Sequence, residues 1–243
     1  QHRSRQTTSG INTGKVKAGL YKIKALEIST LLRKNIQAQV VNLQHLEQRR
    51  NMKIHGLIGF EALKEYELQL DYVRKEIQFK QTEKGIPRRF ATAETPPTVS
   101  MDIDYIGHLV CITTYVGEHR LRMALDSGAE INVLGKRWKN KLQNFLIQRG
   151  TFDIRGVSSQ SQTVEYVRLE QCWIGDRSYP FMRAVLTDMK AVAHDVDGIL
   201  GYEFFIRCQK VAIDFQNRRF HIWHLPEASE QKNVLVKKSD MEP

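Results

Sequence analysis

A mainly β fold, with one unit used twice, is what this sequence predicts, and three observations carry that expectation. Apolar runs of strand length alternate with polar turns, as in Leu109–Val116, Gly117-Glu118 and His119–Leu125. A Gly-apolar-apolar-Gly element occurs twice, as Gly56-Leu57-Ile58-Gly59 and Gly198-Ile199-Leu200-Gly201, 142 positions apart. A single Asp126-Ser127-Gly128-Ala129 turn lies between the apolar runs Met123-Ala124-Leu125 and Ile131, Val133, Leu134.

The first copy begins with strands over residues 14–27 and 36–43. His55-Gly56-Leu57-Ile58-Gly59-Phe60-Glu61 then matches Asp197-Gly198-Ile199-Leu200-Gly201-Tyr202-Glu203. In each copy the glycines suit a strand that approaches another backbone closely. A short helical stretch follows, over 61–65 in one copy and 203–207 in the other. Leu68-Gln69-Leu70-Asp71-Tyr72 matches Val211-Ala212-Ile213-Asp214-Phe215 at an offset of 143, so one residue has been gained. Each of these strands runs into a polar turn, 73–75 or 216–218, and returns through 76–79 or 220–223. Asp71 and Asp214 are expected to organise those turns through side-chain to backbone hydrogen bonds.

The second copy has its Asp-Ser-Gly turn 70 residues ahead of Gly198, and the same spacing ahead of Gly56 falls before residue 1. Four regions are therefore expected. Residues 1–80 are the C-terminal half of a first domain. Residues 81–100, with Pro87, Pro96 and Pro97, form a linker. Residues 101–225 are a complete second domain, with strands at 109–116, 119–125, 167–173, 180–187 and 211–223, and a polar hairpin at 152–166 around Gly156. Residues 226–243 form a polar tail.

Composition narrows the function classes. Of 243 residues 41% are apolar, enough for a core, and no run of about 18 apolar residues predicts a spanning helix. Cys111, Cys172 and Cys208 are far apart and odd in number, which suggests buried thiols and leaves one disulfide open. The net charge of +10 is uneven. Residues 1–98 hold 18 Lys/Arg against 9 Asp/Glu, and residues 99–243 hold 19 against 18. The basic charges are dispersed and carry no nucleic-acid-binding signature, so a solvated face is favoured over a nucleic-acid partner. The histidines are scattered and no HExxH occurs, although His221 and His224 share a strand end. Asp195 and Asp197 read as solvated loop carboxylates rather than metal ligands. Gly156-Val157-Ser158 does not open a G-x-S-x-G elbow, which disfavours a serine hydrolase.

The turn at 126–129 is the place to look for chemistry. An ionised Asp among apolar neighbours is costly unless it is hydrogen-bonded or shares a proton. Taken alone, Asp-Ser-Gly before an apolar run is also a reasonable helix cap. With Gly198-Ile199-Leu200-Gly201 downstream, however, the chain resembles the retropepsin-like aspartic proteases. In that family an apolar run leads into Asp-Thr/Ser-Gly-Ala, and a later apolar-apolar-Gly packs beside it. The resemblance covers roughly residues 100 to 225. Bacterial aspartyl protease-like proteins with tandem domains are the group it resembles most.

The resemblance implies a closed retropepsin-like (acid protease) β-barrel, preceded by the partial copy, and an aspartic endopeptidase. Asp126 would be catalytic. Ser127, Gly128 and Ala129 would support the active-site loop. Gly156, Val157 and Ser158 would form a flap, and Ile199, Leu200 and Gly201 would pack beside the site. Such chemistry uses two aspartates and an activated water, with no metal or organic cofactor. The partners implied are a peptide or protein substrate and a second Asp, from a homodimer or from the missing first half-domain. The alternative is a catalytically inactive module that holds an extended peptide by strand addition. The resemblance further suggests a periplasmic or exported protein; the sequence itself fixes no compartment.

Overall fold

The computed structural model describes residues 5–10, 13–29, 31–86, 88, 95–155, 161–189 and 195–225. Its first sheet is antiparallel and has the order β1-β2-β3, from β1 (Arg5–Gly10), β2 (Thr13–Ile28) and β3 (Leu31–Val40). Two short helices follow, α1 (Gln44–Arg50) and α2 (Phe60–Leu63), and then the hairpin of β4 (Tyr66–Asp71) and β5 (Glu76–Gln81). The second half contributes β6 (Val99–Asp102), β7 (Asp104–Ile106), β8 (Leu109–Val116), β9 (His119–Leu125) and β10 (Asn132–Gly135). Next come β11 (Leu146–Arg155), β12 (Ser161–Leu169), β13 (Gln171–Ile174), β14 (Arg177–Pro180) and β15 (Arg183–Thr187). The chain continues with β16 (Gly198–Leu200), α3 (Tyr202–Phe205), β17 (Lys210–Asp214) and β18 (Arg219–Trp223).

The fold is mainly β, but its large sheet is an open path rather than a closed barrel. The strand order is β11-β12-β15-β10-β16-β9-β8-β13-β14, with β7 beside β8. The hairpins β11–β12 and β13–β14 end the path, and among the described residues no ladder joins β11 to β14. Closure expected from the resemblance is therefore not made by hydrogen bonding. At the centre of the path β16 lies between β9, to which it is parallel, and β10, to which it is antiparallel. The core beneath holds Leu121, Leu134, Leu142, Ile174, Leu200 and Phe204, each at 1% exposure or less. Each such side chain contributes roughly 1.5–3 kcal/mol by burial.

The third sheet, β5-β4-β17-β18-β6, joins the two hairpins that the sequence aligns. β4 and β17 pair antiparallel with Gln69 opposite Ala212, Asp71 opposite Lys210 and Glu67 opposite Asp214. Gln69 and Ala212 are themselves matched positions, so the register has the form of a local two-fold. Other contacts come in the same reciprocal pairs. The Tyr72 amide donates to the Gln209 carbonyl at 2.9 Å and the Phe215 amide to the Tyr66 carbonyl at 3.3 Å. Phe60 meets Phe215 at 6.1 Å and 60°, and Tyr72 meets Tyr202 at 6.2 Å and 59°. The turns agree as well: Asp71 accepts from the amides of Val73 and Arg74, and Asp214 accepts from that of Asn217.

Several expectations shift. The strand expected over 167–173 breaks at Glu170, whose amide donates to the Phe145 carbonyl and whose carbonyl accepts from Phe181. The helix α1 had no signal, since its seven residues carry little apolar periodicity. Described residues within the expected linker 81–100 are hydrogen-bonded to the second half. The Asn217 side chain clasps Glu83, Gly85 and Ile86, and the Trp223 indole donates to the Thr95 carbonyl. Arg88 is paired with the fully buried Glu67 at 2.6 Å, and β6 then enters the sheet. The tail at 226–243 lies outside the described residues.

All three cysteines are buried free thiols. Burial pushes Cys111 up to about 11 and both Cys172 and Cys208 up to about 12, which keeps them protonated. His221 and His224 are core groups rather than a metal pair. His221 contacts the Ser100 hydroxyl at 2.7 Å. His224 lies between the Thr98 hydroxyl at 2.6 Å and the Tyr179 hydroxyl at 2.7 Å.

Burial, and secondarily the Arg177 charge, lowers the His224 pKa from 6.5 to about 4. Between those values the unfolded chain binds the extra proton, so stability contributed by neutral His224 is present above pH 6.5 and is lost as pH falls towards 4. Urea unfolding from pH 7 to 4 should show that loss, with a shallower slope in His224→Gln.

Candidate functional site

The Asp126 turn is built by the strands on either side of it. β9 delivers Leu125 opposite Leu200 of β16, and the chain then leaves the sheet. The Asp126 amide donates to the Leu200 carbonyl at 3.0 Å, which ties the base of the turn to the Gly-Ile-Leu-Gly element. The turn closes by a hydrogen bond from the Ala129 amide to the Asp126 carbonyl at 3.1 Å. The Gly128 amide donates to Asp126 Oδ1 at 2.9 Å. Asp126, Ser127 and Gly128 are all exposed at the tip, so the carboxylate is oriented by the loop yet open to solvent. Ala129 in turn accepts from the Tyr202 amide at 2.7 Å, linking the turn to the start of α3.

Glycine is required where these backbones meet. A Cβ on Gly198 would lie 2.2 Å from the Val133 carbonyl oxygen. One on Gly201 would lie 2.6 Å from that of Ile131 and 2.7 Å from that of Ala129. Ile199 and Leu200, at 5% and 0% exposure, fill the core between β9 and β10. The structure thus brings together Asp126, Gly128, Ala129 and Leu200 as one hydrogen-bonded unit, with Gly201 in close backbone approach to Ala129, Ile199 packed beneath and Ser127 at the tip. The flap positions Gly156, Val157 and Ser158 lie outside the described residues; the hairpin β11–β12 that brackets them is present, with Arg155 opposite Ser161.

Two residues near the turn carry more than the sequence suggested. Asp197 is not a solvated loop carboxylate. Its Oδ2 accepts from the Arg122 amide at 2.8 Å, while its Oδ1 takes the Arg137 guanidinium at 2.6 Å and the Trp138 indole at 2.7 Å. Its backbone joins the same strands, accepting from the Gly135 amide and donating to the Arg122 carbonyl, both at 2.8 Å. Asp197 is therefore a clasp that holds β9 and β10 around β16.

Asn132, 1% exposed, is the second. Its Oδ1 accepts from the Gly201 amide at 2.9 Å, and its Nδ2 donates to the Arg183 carbonyl at 2.9 Å and to the Glu203 carboxylate. Glu203 is also paired with Arg207 at 2.6 Å. One signal could have pointed to Asn132: an amide inside the apolar run Ile131–Leu134 needs a buried partner. No local signal pointed to Asp197, whose partners lie about 60–75 positions away.

Stranding a buried donor or acceptor costs roughly 1–3 kcal/mol per group. Asn132→Ala should therefore lower the urea-unfolding free energy by at least that amount, whereas the exposed Asp195→Asn should stay within about 0.5 kcal/mol of the parent.

Residues 112–204, from β8 into α3, match the family model described as aspartyl protease. No curated protein matches. Among solved structures, the chain is similar to a retropepsin-like aspartic protease from Rickettsia conorii, with 14% identity and a TM-score of 0.39. That match covers 51% of this chain and 89% of the other. It is also similar to the retroviral protease-like domain of Ddi1 from Leishmania major, with 18% identity, a TM-score of 0.33 and coverage of 49% and 95%. A third similar structure is the EIAV protease complexed with the inhibitor HBY-793, with 17% identity, a TM-score of 0.31 and coverage of 48% and 91%. The segment 112–204, with its Asp-Ser-Gly turn, is thus similar to the aspartyl protease family.

Proposed function

We propose that the protein is an aspartic-type peptidase that hydrolyses peptide bonds with Asp126 as one half of a carboxyl dyad. The observation that supports this reading most is the Asp126 carboxylate itself. It is held by the Gly128 amide at the tip of a turn locked to β16, and it remains accessible to water and substrate. Such a turn costs little to reorganise when a substrate arrives.

A dyad works because two like charges at close range cannot both ionise. The pair then shares one proton and titrates as a unit. One member, as carboxylate, takes a proton from the attacking water. The other, as acid, donates to the peptide carbonyl oxygen. Asp126 supplies one member, and the reading requires a second carboxyl facing it. Ser127 and Gly128 shape the loop, and the β11–β12 hairpin, with Gly156, Val157 and Ser158 at its tip, would close over an extended substrate. The chemistry needs no metal or organic cofactor.

A non-catalytic peptide-binding module is the second reading, and one observation favours it: the sequence contains one Asp-Ser-Gly turn only. The two readings part on a single substitution. Asp126→Asn removes the proton-transfer group and keeps the size and one acceptor oxygen, so folding should be unchanged. Cleavage of a casein-type substrate across pH 3–8 should fall by a factor of about 10² or more in the variant, the scale of one general acid/base. Equal cleavage by parent and variant, or none by either in the presence of a second Asp-Ser-Gly segment, favours the binding module.

A further inference from the structure

A row of charged residues crosses the third sheet, each opposite the next: Lys80 on β5, Glu67 on β4, Asp214 on β17, Arg219 on β18 and Asp102 on β6. Side chains at directly opposed positions share one face, where unlike charges attract and like charges repel. The outer pair follows that rule, since Arg219 and Asp102 are bridged at 2.6 Å. The central pair does not. Glu67 and Asp214 are both carboxylates, and they are 0% and 1% exposed. Asp214 accepts from the backbone amide and the side-chain amide of Asn217. Glu67 is served on one oxygen only, its Oε1 accepting from Gln69 and from Arg88, both at 2.6 Å. Its buried Oε2 has no hydrogen-bond partner among the described residues. A buried carboxylate oxygen left without a donor is costly and calls for an explanation.

A cavity of about 320 Å³ adjoins this pair, with Glu67, Lys80, Thr82, Glu83, Arg88 and Asp214 in its wall. That volume falls in the small-molecule range of about 300–1,000 Å³. The Thr82 hydroxyl is buried and, like Glu67 Oε2, has no partner among the described residues. Three carboxylates face two cations, and Arg88 is already bonded to Glu67 Oε1. The wall therefore offers acceptors and surplus negative charge. Among the described residues no three acidic, imidazole or thiol groups converge as metal ligands. We propose that this cavity binds a small organic cation, a guanidinium or primary ammonium group whose N–H donors meet Glu67 Oε2 and the Thr82 hydroxyl oxygen, with the carboxylates of Asp214 and Glu83 balancing its charge. Such a cation also relieves the repulsion between the two central carboxylates. Two carriers present that chemistry, a free guanidine or an arginine side chain on a polypeptide. The site is separate from the Asp126 turn and independent of its chemistry.

The probes are agmatine, N-acetylarginine amide and its uncharged counterpart N-acetylcitrulline amide, each titrated into the full chain and followed by amide chemical shifts. The chain carries a net charge of +10, so it does not attract cations in general, and a response reports a local site. Saturable shifts are expected at Glu67, Thr82 and Asp214 with both guanidinium probes, and the citrulline probe should bind at least tenfold more weakly. Either order between the two guanidinium probes upholds the site. Tighter agmatine makes the ligand a free guanidine, and tighter blocked arginine makes it a side chain. Glu67→Gln should lower affinity at least tenfold, but it also removes the buried counter-charge of Arg88. The double variant Thr82→Val with Glu83→Gln avoids that disturbance, since Glu83 meets Asn217 through its carbonyl. Its melting temperature should be retained while affinity again falls at least tenfold. Absence of saturable shifts at millimolar probe, equal binding of the citrulline probe, or equal affinity in the double variant overturns the proposal. So does inorganic phosphate shifting the same amides, which would make Lys80 and Arg88 the ligands of an anion.

Discussion

The approach of Gly198 and Gly201 to neighbouring carbonyl oxygens is the constraint on which the second half of this molecule depends. With hydrogen in place of a methyl group, β16 can slip between β9 and β10 and hydrogen-bond to both. Everything at the turn follows from that insertion. The Leu200 carbonyl becomes the anchor of the Asp126 amide, Ile199 and Leu200 reach the core, and α3 starts where the Tyr202 amide can reach Ala129. A side chain at either glycine would force a backbone apart, and the carboxylate would lose its fixed position.

Polar groups secure the same insertion from both ends. Asp197 clasps Arg122, Arg137 and Trp138 just before β16, and Asn132 ties Gly201 to Arg183 and Glu203 just after it. Charge-assisted bonds of the Asp197 kind are about twice as strong as neutral ones. The large sheet can therefore remain an open path and still hold one loop rigidly, because rigidity at the turn comes from this local lattice and not from closure.

Local pattern made some of this legible and long-range pairing hid the rest. β8 and β9 could be bounded to the residue, since Gly117 at φ +57 marks a turn that only the hairpin register demands. The reciprocal pairing of β4 with β17 had a sequence signal, since a Gly-apolar-apolar-Gly element followed by Asp-aromatic occurs twice at a nearly constant offset. Asp197 was misread because a loop aspartate looks alike whether solvated or clasped, and its partners come from other strands. The break at Glu170 depends on Phe145, and the anchoring of Glu83, Gly85 and Ile86 depends on Asn217 more than 130 positions away. The sequence reading of a closed barrel came from resemblance, and edge pairing is a property that no single strand encodes.

The two Gly-apolar-apolar-Gly elements differ in packing: residues 198–201 are wedged between β9 and β10, whereas Leu57 and Ile58 are exposed. Residue-resolved hydrogen exchange on the full chain compares the two elements directly. Amides of Leu200, Gly201 and Tyr202 should exchange only through unfolding of the sheet, orders of magnitude more slowly than those of Leu57, Ile58 and Gly59. Equal protection of the two elements would contradict the account, because it would mean that residues 198–201 are not clamped between β9 and β10.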